Sequence, residues 1–154
     1  MRLWKSFQCA FRGIFVCIRR ERNMRIHITV LFYVFIFSLF FELSRVEYAV
    51  LFLTSALVIS TELLNTCAEE MADLVKPQYH PMIRNVKDFA AGAVLVAAIF
   101  AVEIGFCLFW KPEVFYRIFL FFSQNPWLII LFLISLVGAL FFVKGSTKQG
   151  KFQK

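Results

Sequence analysis

Four polar side chains follow one face of a single apolar segment near the middle of the chain. They are Glu62, Asn65, Glu69 and Asp73, separated by three, four and four residues. Because an α-helix completes a turn in about 3.6 residues, this spacing places all four on one narrow stripe. Such a stripe suits phosphoryl transfer: Mg²⁺ is commonly held by one or two carboxylates and phosphate oxygens, and a separate carboxylate can accept the proton of an attacking alcohol.

The position of Glu62 favours a functional role over a structural one. Glu62 falls inside the predicted membrane boundary, where a carboxylate is costly and normally faces a protein interior or a polar cavity. Glu70 and Asp73 are explained equally well as a solvated helix end. Glu62 and Glu69 are separated by roughly 10 Å along a helix axis. This distance allows one to serve an alcohol at the membrane surface while the other serves a metal and a nucleotide.

Two further polar clusters border apolar segments. Lys87-Asp88 offers a lysine ammonium for phosphate and a carboxylate near a predicted helix N-terminus. On its own, this pair is also what snorkelling and capping produce. The cluster formed by residues 21–23 with His27 precedes another apolar segment in the same way. All three clusters are predicted to lie on one side of the membrane.

Long apolar runs, rather than a dispersed periodic pattern, dominate the composition. Of the 154 residues, 60% are hydrophobic and 18% are aromatic. Several runs approach or reach the roughly 20 residues that a helix needs to cross hydrocarbon, so the sequence predicts an all-α integral membrane protein. The predicted spans cover residues 28–41, 48–65, 89–110 and 127–143. The first is short, and the third carries Glu103.

The distribution of basic residues predicts that both termini lie in the cytoplasm. Of the 17 Lys and Arg residues, only Arg45, Lys111 and Arg117 fall in the predicted external segments. The others precede the first span, separate the second from the third, or follow the fourth, in agreement with the positive-inside rule. An even number of spans gives the same topology. The net charge of +7 therefore marks membrane borders and does not indicate a nucleic-acid partner.

The segments outside the spans have distinct patterns. In residues 1–20, apolar residues recur at helical spacing and basic residues recur every seventh position on another side, which predicts an amphipathic surface helix. Membrane anchorage alone would explain this helix. Residues 44–47 are predicted to form a tight external turn, residues 75–85 a proline-containing cytoplasmic loop, and residues 114–122 part of an external interfacial hairpin.

Several classes of site are excluded by missing motifs. The four cysteines form no CxxC pair and fall in predicted cytoplasmic or membrane segments, so they are expected to be small apolar packers rather than disulfides or zinc ligands. The glycines form neither GxxxxGK[ST] nor GxGxxG, so any nucleotide site must be unconventional. HExxH and a nucleophile elbow are also missing. No secretory signal peptide is expected.

Taken together, the polar clusters resemble the small membrane-bound diacylglycerol kinase and undecaprenol kinase family of bacteria. The resemblance covers roughly residues 1–110, in the order and spacing of that family. The matching residues are Ser6, Phe7, Ala10 and Gly13, then residues 21–27, then residues 62–66 with Glu69 and Asp73, and finally residues 87–94. Several motifs in register are much more specific than any one of them.

The resemblance implies an architecture and a set of partners. It implies a bacterial cytoplasmic membrane protein that forms a homotrimer, with an N-terminal surface helix, three membrane helices in each subunit and composite sites at subunit boundaries. Residues 1–110 are expected to form the membrane lipid kinase domain. Residues 111–154 are expected to add a further transmembrane helix and a lysine-rich cytoplasmic tail. The implied partners are ATP, a lipid alcohol and Mg²⁺ as the cofactor.

The resemblance also assigns roles to individual residues. Glu62 resembles the general base that deprotonates the lipid hydroxyl, and Glu21 and Glu69 resemble the carboxylates that hold Mg²⁺ on ATP. Asn65 resembles a polar residue that supports the site. The expected nucleotide-binding residues are Arg2, Glu21, Glu69, Asp73, Lys87 and Asp88. Gln78 departs from the family, because some relatives have an acidic residue near the nucleoside at this position.

The sequence leaves open which lipid is the substrate, and it allows two other hypotheses for the function. Asn23 and His27 look more like the undecaprenol kinase branch, so undecaprenol is favoured over diacylglycerol. A non-catalytic membrane transport subunit would instead use Glu62 and Glu103 as embedded ion or proton sites. A degenerate relative that only binds lipid is disfavoured, because none of the matched acidic positions is lost.

Overall fold

The computed structural model describes residues 2–75 and 81–145, and these residues form helices connected by turns, with no strand among them. The side chain of Arg2 is not among the described groups. The helices of the described residues are α1 (Arg2–Arg20), α2 (Arg22–Ser38), α3 (Arg45–Val75), α4 (Pro81–Phe109), α5 (Pro112–Gln124) and α6 (Pro126–Lys144). The predicted all-α membrane architecture is confirmed.

The first helix lies on the surface of the bundle, as its amphipathic pattern predicts. In residues 3–20 only Cys17 is buried and only Ile18 is partly covered, while large apolar side chains such as Trp4 and Phe11 are exposed. Exposed apolar residues along one side of a helix with a basic opposite side are typical of a helix that rests in a membrane interface. The C-terminal end of α1 packs against α2 and α3.

Three of the described helices are long and apolar enough to cross a membrane: α3, α4 and α6. The predicted first span corresponds to α2, which has 17 residues and is followed by a turn over residues 39–42. A helix of that length extends for roughly 26 Å, slightly less than the roughly 30 Å of a hydrocarbon core. That α2 also spans the membrane stays a prediction.

The antiparallel pair α3 and α4 forms the centre of the fold, and α2 packs against α3. At the end of the bundle that is predicted to be external, a small core joins the α2–α3 turn, both central helices and α5 through Phe41, Leu43, Leu51, Leu108 and Val114. Because these residues come from four parts of the chain, this core fixes the helices relative to one another at one end. The opposite end combines polar contacts with a few buried apolar residues, among them Met24 and Ala72.

The predicted turn at residues 44–47 is wrong in position. The turn lies earlier, at residues 39–42, and α3 already begins at Arg45. The reason is a reciprocal capping box: the Glu47 backbone N–H donates to Ser44 Oγ (3.2 Å), and the Ser44 N–H donates to Glu47 Oε2 (2.6 Å). This pairing satisfies two backbone donors that a helix N-terminus otherwise leaves unpaired.

The predicted cytoplasmic loop over residues 75–85 is also wrong in extent. α3 continues to Val75, and α4 begins at Pro81, eight residues before the predicted span. Proline is favoured at the first helical position because its missing N–H would have no partner there. The expectations for Gln78, and for the tail from residue 146 onward, fall outside the described residues.

The segment after α4 adds a helical hairpin. The aromatic residues 114–122 lie in α5, a 13-residue helix, and Pro126 starts α6. Two ion pairs hold this segment to the other helices. Arg117 Nη1 of α5 lies 2.6 Å from Glu42 Oε1 in the turn after α2, and Lys111 Nζ, just before α5, lies 3.6 Å from Glu47 Oε1 in α3. α6 packs on α2, where Tyr33 and Ser135 are hydrogen bonded at 3.0 Å. No described residue of α6 is buried.

Candidate functional site

The predicted stripe on α3 is continuous but unevenly buried. Glu62 is 1% exposed, Asn65 is buried, Glu69 is partly covered, and Asp73 is exposed. The stripe therefore runs from the bundle interior out to the C-terminal end of α3. Only Glu62 is held where the protein, and not solvent, surrounds a carboxylate.

Two buried acceptors on this stripe have no hydrogen-bond donor among the described residues. They are Glu62 Oε2 and Asn65 Oδ1. The Asn65 amide donates in the other direction, from Nδ2 to Glu69 Oε1 at 3.2 Å. Buried polar atoms in native proteins are nearly always paired, so an unpaired buried acceptor indicates a missing donor. A ligand hydroxyl is a suitable donor for Glu62.

These groups line a cavity of about 310 Å³ between α2, α3 and α4. α3 contributes Glu62, Asn65 and Glu69, and α2 contributes Asn23 and His27. The residues that α4 contributes are alanine, valine and leucine only. The cavity thus has one wall of carboxylate and amide groups opposite an apolar wall. It suits an amphipathic ligand with a polar end.

Glu21 joins the carboxylates from a different element. It occupies the N-cap position of α2 in extended conformation, and it is partly covered. Burial raises the pKa of Glu21, and the negative charges of Glu69 and Glu70 raise it further, while Arg25 and Arg20 act in the opposite direction. Because charges shift a pKa in this way only at short range, Glu21 lies near the end of the α3 stripe.

The carboxylates fit a divalent cation that is only partly held by protein. Among residues 2–75 and 81–145, no group of three or more His, Cys, Asp and Glu side chains forms a complete metal site. Mg²⁺ bound with a nucleotide needs one or two carboxylates and takes its other ligands from phosphates and water. The mutual repulsion of Glu21 and Glu69 is what such a cation would relieve.

Contacts at the end of α1 hold Glu21 in place. Arg20 Nη1 lies 2.9 Å from Glu70 Oε1, and Arg25 Nη1 donates to the carbonyls of Ile18 (3.4 Å) and Arg19 (3.0 Å). Arg25 is 4% exposed, so these bonds join α1 to α2 in a buried position. In the sequence, Arg25 stands out only as one of the basic residues before the first apolar run and as part of the matching segment 21–27, and neither feature predicts these contacts.

Cys17 also takes part in this junction, beyond the apolar packing predicted for it. Its Sγ lies 3.3 Å from Thr66 Oγ1, and the Thr66 hydroxyl donates to the Glu62 carbonyl at 3.1 Å. Because the Thr66 hydrogen is used in that bond, the thiol is the donor to Thr66. Burial raises the pKa of Cys17, which keeps the thiol protonated. Through Thr66, the end of α1 is therefore linked by hydrogen bonds to the backbone carbonyl of Glu62.

The remaining predicted nucleotide residues are distributed unequally. Lys87 Nζ lies 2.5 Å from Asp73 Oδ1, which brings the lysine of α4 beside the end of the stripe. Asp88 is exposed and lies 3.6 Å from Arg84 on its own helix. Arg2 begins α1, roughly 27 Å along the helix from Arg20. The side chain of Arg2 is not described, so its role at the nucleotide stays a prediction.

The comparisons with known proteins agree on a family. The family model described as prokaryotic diacylglycerol kinase matches residues 8–109. An undecaprenol kinase of Bacillus subtilis (strain 168) is 41% identical over 108 residues, which cover 70% of this chain and 88% of that protein. A diacylglycerol kinase of Synechocystis sp. is 44% identical over 108 residues, which cover 62% of that protein.

Proposed function

Because this chain belongs to the prokaryotic diacylglycerol kinase family, we propose that it phosphorylates the hydroxyl of a membrane lipid alcohol with ATP. The observation that carries this proposal is Glu62, which is buried at a cavity between membrane helices with one carboxylate oxygen unpaired. Burial of a carboxylate without a partner is costly, so the ligand hydroxyl would supply the hydrogen-bond donor that Glu62 Oε2 lacks.

The proposed reaction is a direct transfer. Glu62 accepts the proton of the lipid hydroxyl while the lipid oxygen attacks the γ-phosphorus of ATP. A bond forms between that oxygen and phosphorus, and the bond to the oxygen that bridges the β- and γ-phosphates breaks. The products are the lipid phosphate, ADP and the proton first held by Glu62. Asn65 keeps Glu69 oriented through its amide during this step.

We assign the nucleotide to the cytoplasmic end of the stripe. Glu21 and Glu69 would hold Mg²⁺, which when bound neutralises charge on the phosphates. Lys87, which already pairs with Asp73, is placed to meet a phosphate oxygen. Asp73 and Asp88 would contact other parts of the nucleotide from the exposed surface.

We further propose a homotrimer in the bacterial cytoplasmic membrane with both termini in the cytoplasm. Arg2 begins α1, roughly 27 Å along the helix from Arg20, and in this arrangement it acts at the site of a neighbour. Residues 1–110 form the catalytic unit in this proposal. Residues 111–154 add the external helix α5 and a further membrane helix that contacts α2.

Transfer of labelled phosphate from ATP tests the proposal. The purified protein is supplied with Mg²⁺ and lipid bilayers that contain either undecaprenol or diacylglycerol. We expect Mg²⁺-dependent transfer to a lipid, with undecaprenol the better acceptor. Replacement of Mg²⁺ by a chelator serves as the control and should abolish transfer. Lack of transfer to either lipid by well-folded protein would contradict the proposed function.

A further inference from the structure

A cleft between α2 and α4 extends the candidate site toward the external side. Both helices pack on α3 but scarcely on each other. Next to the 310 Å³ cavity lies a second cavity of about 320 Å³, whose lining is almost entirely apolar. His27 and Ala98 line both cavities. A ligand can therefore run from Glu62 into the apolar cavity without leaving the cleft.

The apolar cavity has one wall of small residues. Ala98, Ala101 and Gly105 face it from α4 at helical spacing. A Cβ atom added at Gly105 would meet no other atom within 4 Å. The space beside Gly105 is thus open, and protein side chains do not fill it. We call this row of three small residues and the space beside it the α4 lane.

The walls of the cavity offer a ligand no free hydroxyl donor. Thr54 and Ser55 both line it, but their hydroxyls donate to the carbonyls of Val50 (2.8 Å) and Leu51 (2.7 Å). Such local bonds are a common way for Ser and Thr to satisfy their hydroxyls in helices. A carbonyl oxygen of a ligand in this part of the cleft would be buried without a hydrogen bond, which makes the free energy of binding less favourable.

His27 is the exception at the point where the two cavities meet. It is partly covered, and no other described residue forms a hydrogen bond or an ion pair with its imidazole. A neutral imidazole has one donor and one acceptor nitrogen. It can therefore bind a hydroxyl on the same side of the cleft that Glu62 faces.

We propose that the α4 lane takes one hydrocarbon chain of the lipid alcohol, with His27 positioning its hydroxyl toward Glu62. This inference rests on the proposed function. A polyprenol is hydrocarbon directly beyond its hydroxyl carbon and suits the lane. Diacylglycerol carries two chains and two ester groups, and an ester group that enters the apolar cavity would meet no free hydroxyl donor. The cleft therefore selects a single-chain polyprenol over diacylglycerol.

A pair of matched glycine substitutions tests the lane. Gly105→Phe fills open space in the lane, and Gly138→Phe makes the same change on α6, where an added Cβ is also unobstructed. We expect Gly105→Phe to raise the KM for a polyprenol at least about tenfold, the effect expected when a chain loses its apolar site. Transfer of phosphate to water and the KM for ATP should not change. Gly138→Phe should behave as the unmodified protein.

Substitutions of His27 test the hydroxyl contact. His27→Leu should raise the KM for polyprenol by about tenfold, the value of one buried hydrogen bond, with little change in the KM for ATP. His27→Gln, which keeps a donor and an acceptor, should restore most of the loss. Equal effects of Leu and Gln, or an effect on ATP instead of lipid, would overturn the role of His27.

Binding of a radiolabelled polyprenol to the purified protein separates the two proposals. Binding that Gly105→Phe abolishes, in a protein that phosphorylates no lipid, would sustain the cleft and overturn the proposed function. Phosphorylation that is unchanged in Gly105→Phe, or that prefers diacylglycerol to polyprenol, would overturn the cleft and sustain the kinase.

Discussion

At the scale of residues, the site depends on how differently its carboxylates are withdrawn from water. Glu62 is enclosed by the bundle, whereas Glu21 is only partly covered and is affected by Glu69 and Glu70. The first arrangement suits a group that exchanges a proton with a ligand. The second suits a carboxylate whose repulsion by its neighbours is relieved when a cation binds.

Glu21 should make Mg²⁺ binding depend on pH. Because its pKa is raised by burial and by neighbouring carboxylates, Glu21 takes up a proton at a pH where an ordinary glutamate is still charged. The Mg²⁺ concentration for half-maximal activity should therefore rise as the pH falls through this raised pKa. Glu21→Gln should raise that Mg²⁺ concentration roughly tenfold or more. It should also remove the part of the pH dependence that comes from protonation of Glu21. Titration of activity with Mg²⁺ at several pH values measures both effects.

The same shift predicts the sign of an effect on stability. A carboxyl whose pKa is higher in the folded than in the unfolded state makes the folded state less stable above that pKa, and this cost disappears as the pH falls. Glu21→Gln should therefore leave the thermal unfolding temperature at neutral pH unchanged or raised. A lowered unfolding temperature would show that Glu21 has a structural role instead.

The stripe itself was predictable from the sequence, because helical periodicity alone aligns Glu62, Asn65 and Glu69. What the sequence could not provide was the partner of each side chain. The contacts of Cys17 with Thr66 and of Arg25 with the end of α1 join residues far apart or across a corner. Such contacts depend on how helices dock, which no local pattern encodes.

At the scale of elements, α3 and α4 meet at both ends by different means. The end that is predicted to be external has an apolar core, whereas the other end has the exposed pair of Asp73 and Lys87, with side chains 71% and 36% exposed. Exposed ion pairs contribute little to stability, about 1 kcal/mol at most. The pair is therefore better suited to meeting a ligand than to holding the helices.

Lys87→Ala should accordingly separate activity from stability. We expect the KM for ATP to rise about tenfold, because a charge-assisted contact with phosphate is lost, while the unfolding temperature changes little. Lys144→Ala removes an exposed cation of α6 that lines neither cavity and provides a matched control. A large loss of stability in Lys87→Ala with an unchanged KM for ATP would contradict the nucleotide assignment.

The errors in predicted boundaries have local causes. The capping box of Ser44 and Glu47 and the N-terminal position of Pro81 both start helices earlier than the apolar runs indicate. Hydropathy detects the part of a helix that crosses the membrane, whereas capping decides where its backbone begins. The two criteria differ most at the cytoplasmic ends, where the carboxylates lie.

At the scale of the whole molecule, the topology depends on α2. If α3, α4 and α6 were the only spans, the two termini would lie on opposite sides of the membrane. If α2 also spans, both termini lie in the cytoplasm, as the distribution of basic residues predicts. The helix is short, but a small tilt angle and local thinning of the bilayer accommodate such a difference.

Reporters that are active on only one side of the membrane test this topology. A reporter fused after Lys154 and one fused before Met1 should both report the cytoplasm. A reporter inserted at Asn125, between α5 and α6, should report the external side. Opposite locations of the two terminal reporters would contradict a membrane-spanning α2.

The role of Glu62 as the general base is tested by single-turnover phosphate transfer to a lipid alcohol by Glu62→Gln. Its matched control is Glu103→Gln, because Glu103 is an exposed carboxylate on α4 outside both cavities. We predict that Glu62→Gln slows transfer by about 10² to 10⁴-fold with unchanged ATP binding, the range for loss of a general base, and that Glu103→Gln transfers at nearly the unmodified rate. Full activity of Glu62→Gln would contradict the account.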